Sequence, residues 1–196
     1  ASGLTLSSRG GPLSARRRAD GLAEVDLGAP RLGWADIPLS TEMDTARLPY
    51  AVEGPAGAGV LCGPGAVSMG NPHCVFFVEE TTSALARAAG PRIERDPLFP
   101  ERVNVGFAHV RAQDEIRLKV WERGAGLTLA CGTGACAALV AACRQGRTGR
   151  EALVVADGGE LPVRWDARTG RVHLSGPVEL EAELDRHSGE NLGSPE

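Results

Sequence analysis

The chain has 196 residues, 42% of them hydrophobic and 23% charged, with a formal net charge of −4. This is a soluble globular composition, sufficient for one substantial core or two small ones, and it lacks the basic surplus of a general nucleic-acid binder. No apolar run reaches the roughly eighteen residues of a membrane span, and Ala1–Ser8 holds no apolar segment long enough for a secretory signal, so a cytoplasmic protein is expected, with neither membrane nor nucleic acid as partner.

The chain begins at Ala1 without an initiator methionine, as an interior fragment would, and its first stretch is polar and glycine-rich. Arg16-Arg17-Arg18 reads as a solvated edge or turn, and Ala23–Leu27 as a strand. Pro49 to Pro64, rich in Gly, Pro and Ala, reads as a loop or short hairpin between sheet segments. Cys74–Val78 suits a buried strand, and Thr82 or Ser83 is placed to cap a short helix through Ala89. Arg102–Val110 and Glu115–Trp121 follow as strands joined by a turn at Ala112-Gln113-Asp114. In the second of them Ile116, Leu118 and Val120 alternate with Arg117, Lys119 and Trp121.

Next, Ala130-Cys131-Gly132-Thr133-Gly134 opens an apolar segment that runs through Cys143 and stops near Gly146. A glycine turn followed by such a segment predicts a helix, and apolar residues on nearly every side predict that strands wrap it. Strands are expected again at Ala152–Ala156, Leu161–Trp165, Val172–Ser175 and Val178–Leu184, with a frayed end from His187.

Cys131 is the most informative position. A cysteine just before a helix meets unpaired backbone N–H groups and the positive end of the helix dipole, a setting that favours the thiolate and also suits a ligand's carboxylate or phosphate. A buried structural cysteine in a tight turn would read the same way. A nucleotide phosphate loop fits poorly, because the Gly-Lys-Ser/Thr ending is absent. Cys136 and Cys143 belong to the helix and are expected in the core. Cysteines number five, an odd count, which favours free thiols over a disulfide framework. No ordinary ligand spacing suggests a metal. Lys119 is the only lysine and reads as an outward-facing strand residue, which argues against pyridoxal phosphate, so no cofactor is expected.

Three further motifs place polar side chains beside apolar strands: Met69-Gly70-Asn71-Pro72-His73, Val120-Trp121-Glu122-Arg123-Gly124, and Arg102-Val103-Asn104-Val105-Gly106-Phe107. Asn71 and His73 are ligand candidates in a turn that Asn-Pro would also form without a ligand. Glu122 and Arg123 read equally as a surface ion pair, and Asn104 as a donor to substrate.

In combination and in order, GNPHCV at Gly70–Val75, RVNVGF at Arg102–Phe107, VWERGAG at Val120–Gly126 and ACGTGACA at Ala130–Ala137 resemble the diaminopimelate epimerase family. The resemblance extends to Val25–Pro30 and covers nearly the whole chain. It implies an α+β fold in which a strongly curved sheet wraps a central helix, one complete domain beside parts of a pseudo-symmetric partner. Residues 1–35 would belong to the amino-terminal domain, 36–175 to the carboxy-terminal domain, and 176–196 to a strand returning to the first, with a tail.

The implied activity is cofactor-free interconversion of LL- and meso-diaminopimelate in lysine and peptidoglycan biosynthesis. Cys131 would be one of two acid/base thiols, with His73 and Glu122 tuning protonation. Asn71, Asn104, Glu122, Arg123, Gly132 and Thr133 would hold the substrate, and no metal would take part. Two departures stand out. The family's first cysteine lies in a Cys-Gly-Asn-Gly turn found nowhere in this sequence, so the chain alone is expected to be inactive. An aromatic associated with dimer contacts is Ala182 here, which weakens the case for a homodimer. A related amino-acid racemase, or a non-catalytic remnant or half-enzyme that needs a partner domain, are the alternative readings.

Overall fold

A computed structural model describes residues 3–8, 11–55, 57 and 59–178. The described residues form thirteen strands and two helices. In chain order they are β1 Gly3–Ser8, β2 Gly11–Arg17, β3 Ala23–Asp26, β4 Ala51–Glu53, β5 Val60–Cys62, β6 Gly65–Ser68, β7 Pro72–Phe77, α1 Ser83–Glu94, β8 Asn104–Ala112, β9 Glu115–Glu122, β10 Gly126–Thr128, α2 Gly132–Arg144, β11 Glu151–Ala156, β12 Gly159–Trp165 and β13 Val172–Gly176. Eleven strands make one sheet in the order β1-β2-β3-β13-β12-β11-β9-β8-β7-β6, with β10 paired to β9, while β4 and β5 form a separate hairpin. The fold is α+β.

Most neighbouring strands are antiparallel, but β7–β8 and β9–β11 are parallel. A parallel pair needs a crossover, and each helix supplies one. The helix α2 is made almost wholly of small residues: Ala135, Cys136, Ala137, Ala138, Ala141 and Ala142 are buried together with Leu139 and Val140. Small side chains let strands approach on several sides. A Cβ built on Gly65 of β6 would lie 2.8 Å from that of Ala141, so this strand sits against the helix only because it carries glycine there. Val75, Ile116, Leu118, Val120, Val154, Val163 and Val172 fill the rest of this core, as the apolar pattern predicts.

A second core lies on the opposite face of β7, β8 and β9. Strand alternation sends Cys74, Phe76, Val105 and Phe107 to this side, where they meet Leu85, Ala86, Ala89 and Ile93 of α1. Thr82 caps α1, its Oγ1 accepting from the Leu85 amide at 3.0 Å. The helix continues past Ala89, through Gly90-Pro91, to Glu94. Proline removes one helical hydrogen bond, but burial of Ile93 and Glu94 holds the last turn in place. Gly90 is needed there, since a Cβ would lie 2.5 Å from Cγ of Trp121.

Other sequence expectations shift in detail. Pro49–Pro64 does hold a hairpin, β4–β5. The polar, glycine-rich opening, where no strand is expected ahead of Ala23, forms β1 and β2, whose short apolar alternation is set among Gly, Ser and Arg. Lys119 does not face solvent: it is 9% exposed, and its ammonium pairs with Asp157 at the tip of the β11–β12 hairpin, which Arg117 also holds. Arg16, Arg17 and Arg18 are exposed, with Arg16 and Arg18 turned toward the buried Glu24 carboxylate. Val178 belongs to no strand, and Ala182, with the expected continuation to Leu184, lies outside the described residues. No described helix is long and apolar enough to cross a membrane.

Candidate active site

Three of the four motifs meet at the N-terminus of α2, and the fourth, through Asn104, braces two of them. Cys131 is its N-cap residue, extended in backbone (φ −140°, ψ 109°), with no side-chain bond closing the cap. The first amides of the helix are therefore presented beside a thiol that is 9% exposed. β7 brings His73, with Asn71 in the turn before it, and the end of β9 brings Glu122.

A chain of polar side chains leads to the sulfur. Asn71 Nδ2 donates to Thr133 Oγ1 at 3.3 Å, so its Oδ1 faces His73 Nε2 at 3.0 Å. A carbonyl oxygen there requires a donor, which places the proton of a neutral imidazole on Nε2. Thr133 Oγ1 thus accepts from Asn71 Nδ2 and lies 3.2 Å from the same imidazole nitrogen. Its own proton is left to point at Cys131 Sγ, 3.6 Å away.

His73 is 1% exposed. Burial, reinforced by the nearby Arg123 charge, lowers its pKa from 6.5 to about 3. An unfolded histidine binds its proton near 6.5, so between pH 6.5 and about 3 the unfolded chain carries the extra proton. The stability this residue contributes is full above 6.5 and is lost as pH falls through that window, by roughly 1.4 kcal/mol per pH unit. Urea midpoints measured from pH 7 to 4 are expected to fall less steeply in His73→Gln than in the wild type. Equal slopes would show that this imidazole is not the buried neutral group described.

The Cys131 thiol is pushed above its ordinary value, and burial is the largest cause. The Thr133 hydroxyl and the Gly134 amide pull it down, while the Glu122 carboxylate, by charge and by hydrogen bond, pushes it up. This corrects the expectation from helix position alone: the helix end does favour the thiolate, but desolvation and a neighbouring carboxylate outweigh it. At rest Cys131 holds its proton.

The remaining candidates act differently from one another. Glu122 Oε1 accepts from Thr128 Oγ1 at 2.6 Å. Asn104 is buried with both ends of its amide engaged, Nδ2 donating to the Pro72 carbonyl at 2.8 Å and Oδ1 accepting from the Arg123 amide at 2.9 Å. In this geometry it ties the Asn71 turn to the Glu122-Arg123 turn. The exposed Arg123 side chain donates to the Glu101 carbonyl at 3.0 Å. Gly132 packs against Leu174, where a Cβ would come within 2.9 Å. Cys136 and Cys143 lie in α2, the first fully buried and the second partly. Sequence reasoning missed the loop ahead of Cys131, whose Leu129 carbonyl accepts from the Gly158 amide at 2.8 Å. An Asp-Gly-Gly hairpin tip was the available signal.

The sequence profile described as Diaminopimelate epimerase matches residues 65–181, which contain every site residue named above. The chain belongs to the diaminopimelate epimerase family. A diaminopimelate epimerase of Caulobacter sp. (strain K31) is 55% identical over 172 residues, spanning 87% of this chain and 59% of that relative. One of Acidiphilium cryptum is 50% identical over 184 residues, 93% of this chain and 64% of the relative. The chain thus spans about three fifths of the length of these diaminopimelate epimerases.

Solved structures agree on the fold. A predicted epimerase from Pseudomonas aeruginosa matches with a TM-score of 0.56 at 20% identity, over 93% of this chain and 67% of its own. A hydroxyproline epimerase from Agrobacterium vitis matches at 0.60 and 16% identity, over 90% and 57%.

Proposed function

We propose that this chain supplies one of the two acid/base thiols of a cytoplasmic diaminopimelate epimerase, and that Cys131 is that thiol. The observation carrying this reading is a single turn that joins a proton-bearing group to the first amides of a helix. Inversion of an α-carbon requires a proton to leave one face and another to arrive at the opposite face. A protonated Cys131 is in the form that delivers, and the opposing thiolate would be in the form that removes. In the reverse direction the two exchange roles.

The amides at Gly132, Thr133 and Gly134 would receive the substrate carboxylate, where negative charge builds as the α-proton departs. Asn71, Glu122 and Arg123 would hold the amino-acid head, with His73 bracing Asn71 and Thr133. A Schiff base with pyridoxal phosphate is disfavoured by the pairing of the only lysine with Asp157. Relatives named for diaminopimelate at 50% identity and above favour that substrate over a related amino acid. The reading places the chain in lysine and peptidoglycan biosynthesis.

This sequence contains no Cys-Gly-Asn-Gly turn, so the opposing thiol is proposed to come from a segment outside these 196 residues. The test is solvent deuterium incorporation at the α-carbon of diaminopimelate, measured for the chain alone and for the chain joined to the preceding part of the Caulobacter relative. Exchange is expected only in the joined protein. Full exchange by the chain alone would refute the need for a second segment, and none in either would refute the substrate.

A further inference from the structure

We propose that Glu94, on the helix that carries no site residue, is a positioning residue that holds Glu122 against the Cys131 thiol. Its side chain is buried at the C-terminal end of α1, 3% exposed. Oε2 accepts from the Trp121 indole Nε1 at 2.7 Å, and Oε1 accepts from the Gly124 amide at 3.1 Å. Arg102 Nη1 lies 3.9 Å from Oε1. A buried carboxylate is costly unless donors surround it, and here both donors come from the 121–124 turn, with the Arg102 charge from a second segment beside them.

The identity of the donors matters more than their number. Trp121 and Gly124 bracket Glu122 and Arg123, so one carboxylate grips both ends of the turn that carries them. Arg102, at a left-handed φ of 61°, is two residues ahead of Asn104, whose Oδ1 holds the Arg123 amide from the other side. The Trp121 ring is seated against Gly90 of the same helix. The turn therefore has little freedom to carry Glu122 away from the sulfur while Glu94 keeps its bonds.

The inference rests on Cys131 and Glu122 acting as a pair, and thiol chemistry tests it without requiring turnover. The groups facing Cys131 are Glu122 from β9, Cys136 from α2 and, through Thr133, His73 from β7, with Arg123 near enough to act on His73. The rate of iodoacetamide alkylation of the Cys131 peptide, followed by mass spectrometry against pH on the 196-residue chain, reports the thiolate fraction.

Glu122→Gln removes a negative charge and is expected to move the midpoint to lower pH. Glu94→Gln cannot accept from both donors and is expected to move it the same way, raising the rate below the midpoint by about twofold. The double variant is expected to move it no further than Glu122→Gln alone, because Glu94 acts through Glu122. Trp121→Phe, which keeps the packing and loses the indole donor, should reproduce the Glu94→Gln shift even if the latter folds poorly. Tyr50→Phe, which removes a 2.9 Å bond to Asp96 just beyond α1, should leave the midpoint unchanged.

A wild-type midpoint in both Glu94→Gln and Trp121→Phe, additive shifts in the double variant, or an equal shift in Tyr50→Phe would overturn the positioning role. An unmoved Glu122→Gln would overturn the pairing beneath it. Deuterium exchange by the joined protein would still test the epimerase reading separately.

Discussion

Replacing Cys131 with alanine in the joined protein is expected to lower α-carbon deuterium exchange by about a thousandfold or more, while leaving the fold intact. Positioned acid/base groups are worth about 10²–10⁴ in rate, and no other thiol stands at this turn to take over. Cys136 is fully buried within α2. Cys136→Ala is therefore the matched control, expected to affect stability slightly and exchange little. The comparison also separates loss of chemistry from loss of binding, because the amides of Gly132, Thr133 and Gly134 are untouched. Cys131→Ala should still bind diaminopimelate by calorimetry. Equal exchange in Cys131→Ala and wild type would remove Cys131 from the mechanism.

The largest expected change in stability comes from Leu139→Ala. The core around α2 is built on alanines, and Leu139 and Val140 are the bulky side chains in its buried stretch. Leucine truncation in a packed core costs about 2–5 kcal/mol, the upper end applying where neighbours cannot close in. Here strands contact the helix from several sides and are tied to one another by backbone bonds, so collapse into the void is restricted. The urea midpoint should fall in proportion, with an unchanged slope. A loss below about 1 kcal/mol would mean that the sheet does relax onto the helix.

The central helix and the strands around it were legible because apolar periodicity reflects burial directly. The uniformly apolar Ala135–Cys143 predicted a wrapped helix, and Ile116, Leu118 and Val120 predicted a strand facing it. β1 and β2 escaped notice because their alternation is short, Leu4 and Leu6 in one strand and Leu13 and Ala15 in the other, and is set among Gly, Ser and Arg. At the site, the motifs that would meet could be named from their residues. The balance of forces on Cys131 could not: helix position argues for a thiolate, and only the structure supplies the burial and the Glu122 carboxylate that reverse the sign. Lys119 repeats the lesson, since alternation assigns its face correctly while Asp157, far along the chain, determines that this face is covered. Glu94 was invisible for the same reason, its partners lying on two other segments, the 121–124 turn and Arg102.

The pairing of β3 with β13 sets His173 opposite Asp26 and Gly176 opposite Ala23. These partners are separated by most of the polypeptide, so during synthesis β3 leaves the ribosome long before its neighbour exists. β1, β2 and β3 have time to form a small meander by themselves, yet β13 is the last described strand to be made and the only one that joins them to the rest of the sheet. Until it arrives, β3 and β12 both present unpaired backbone, the kind of edge that recruits other chains. Nascent chains of this protein stalled before Val172 should therefore be where chaperone dependence and aggregation during production are concentrated.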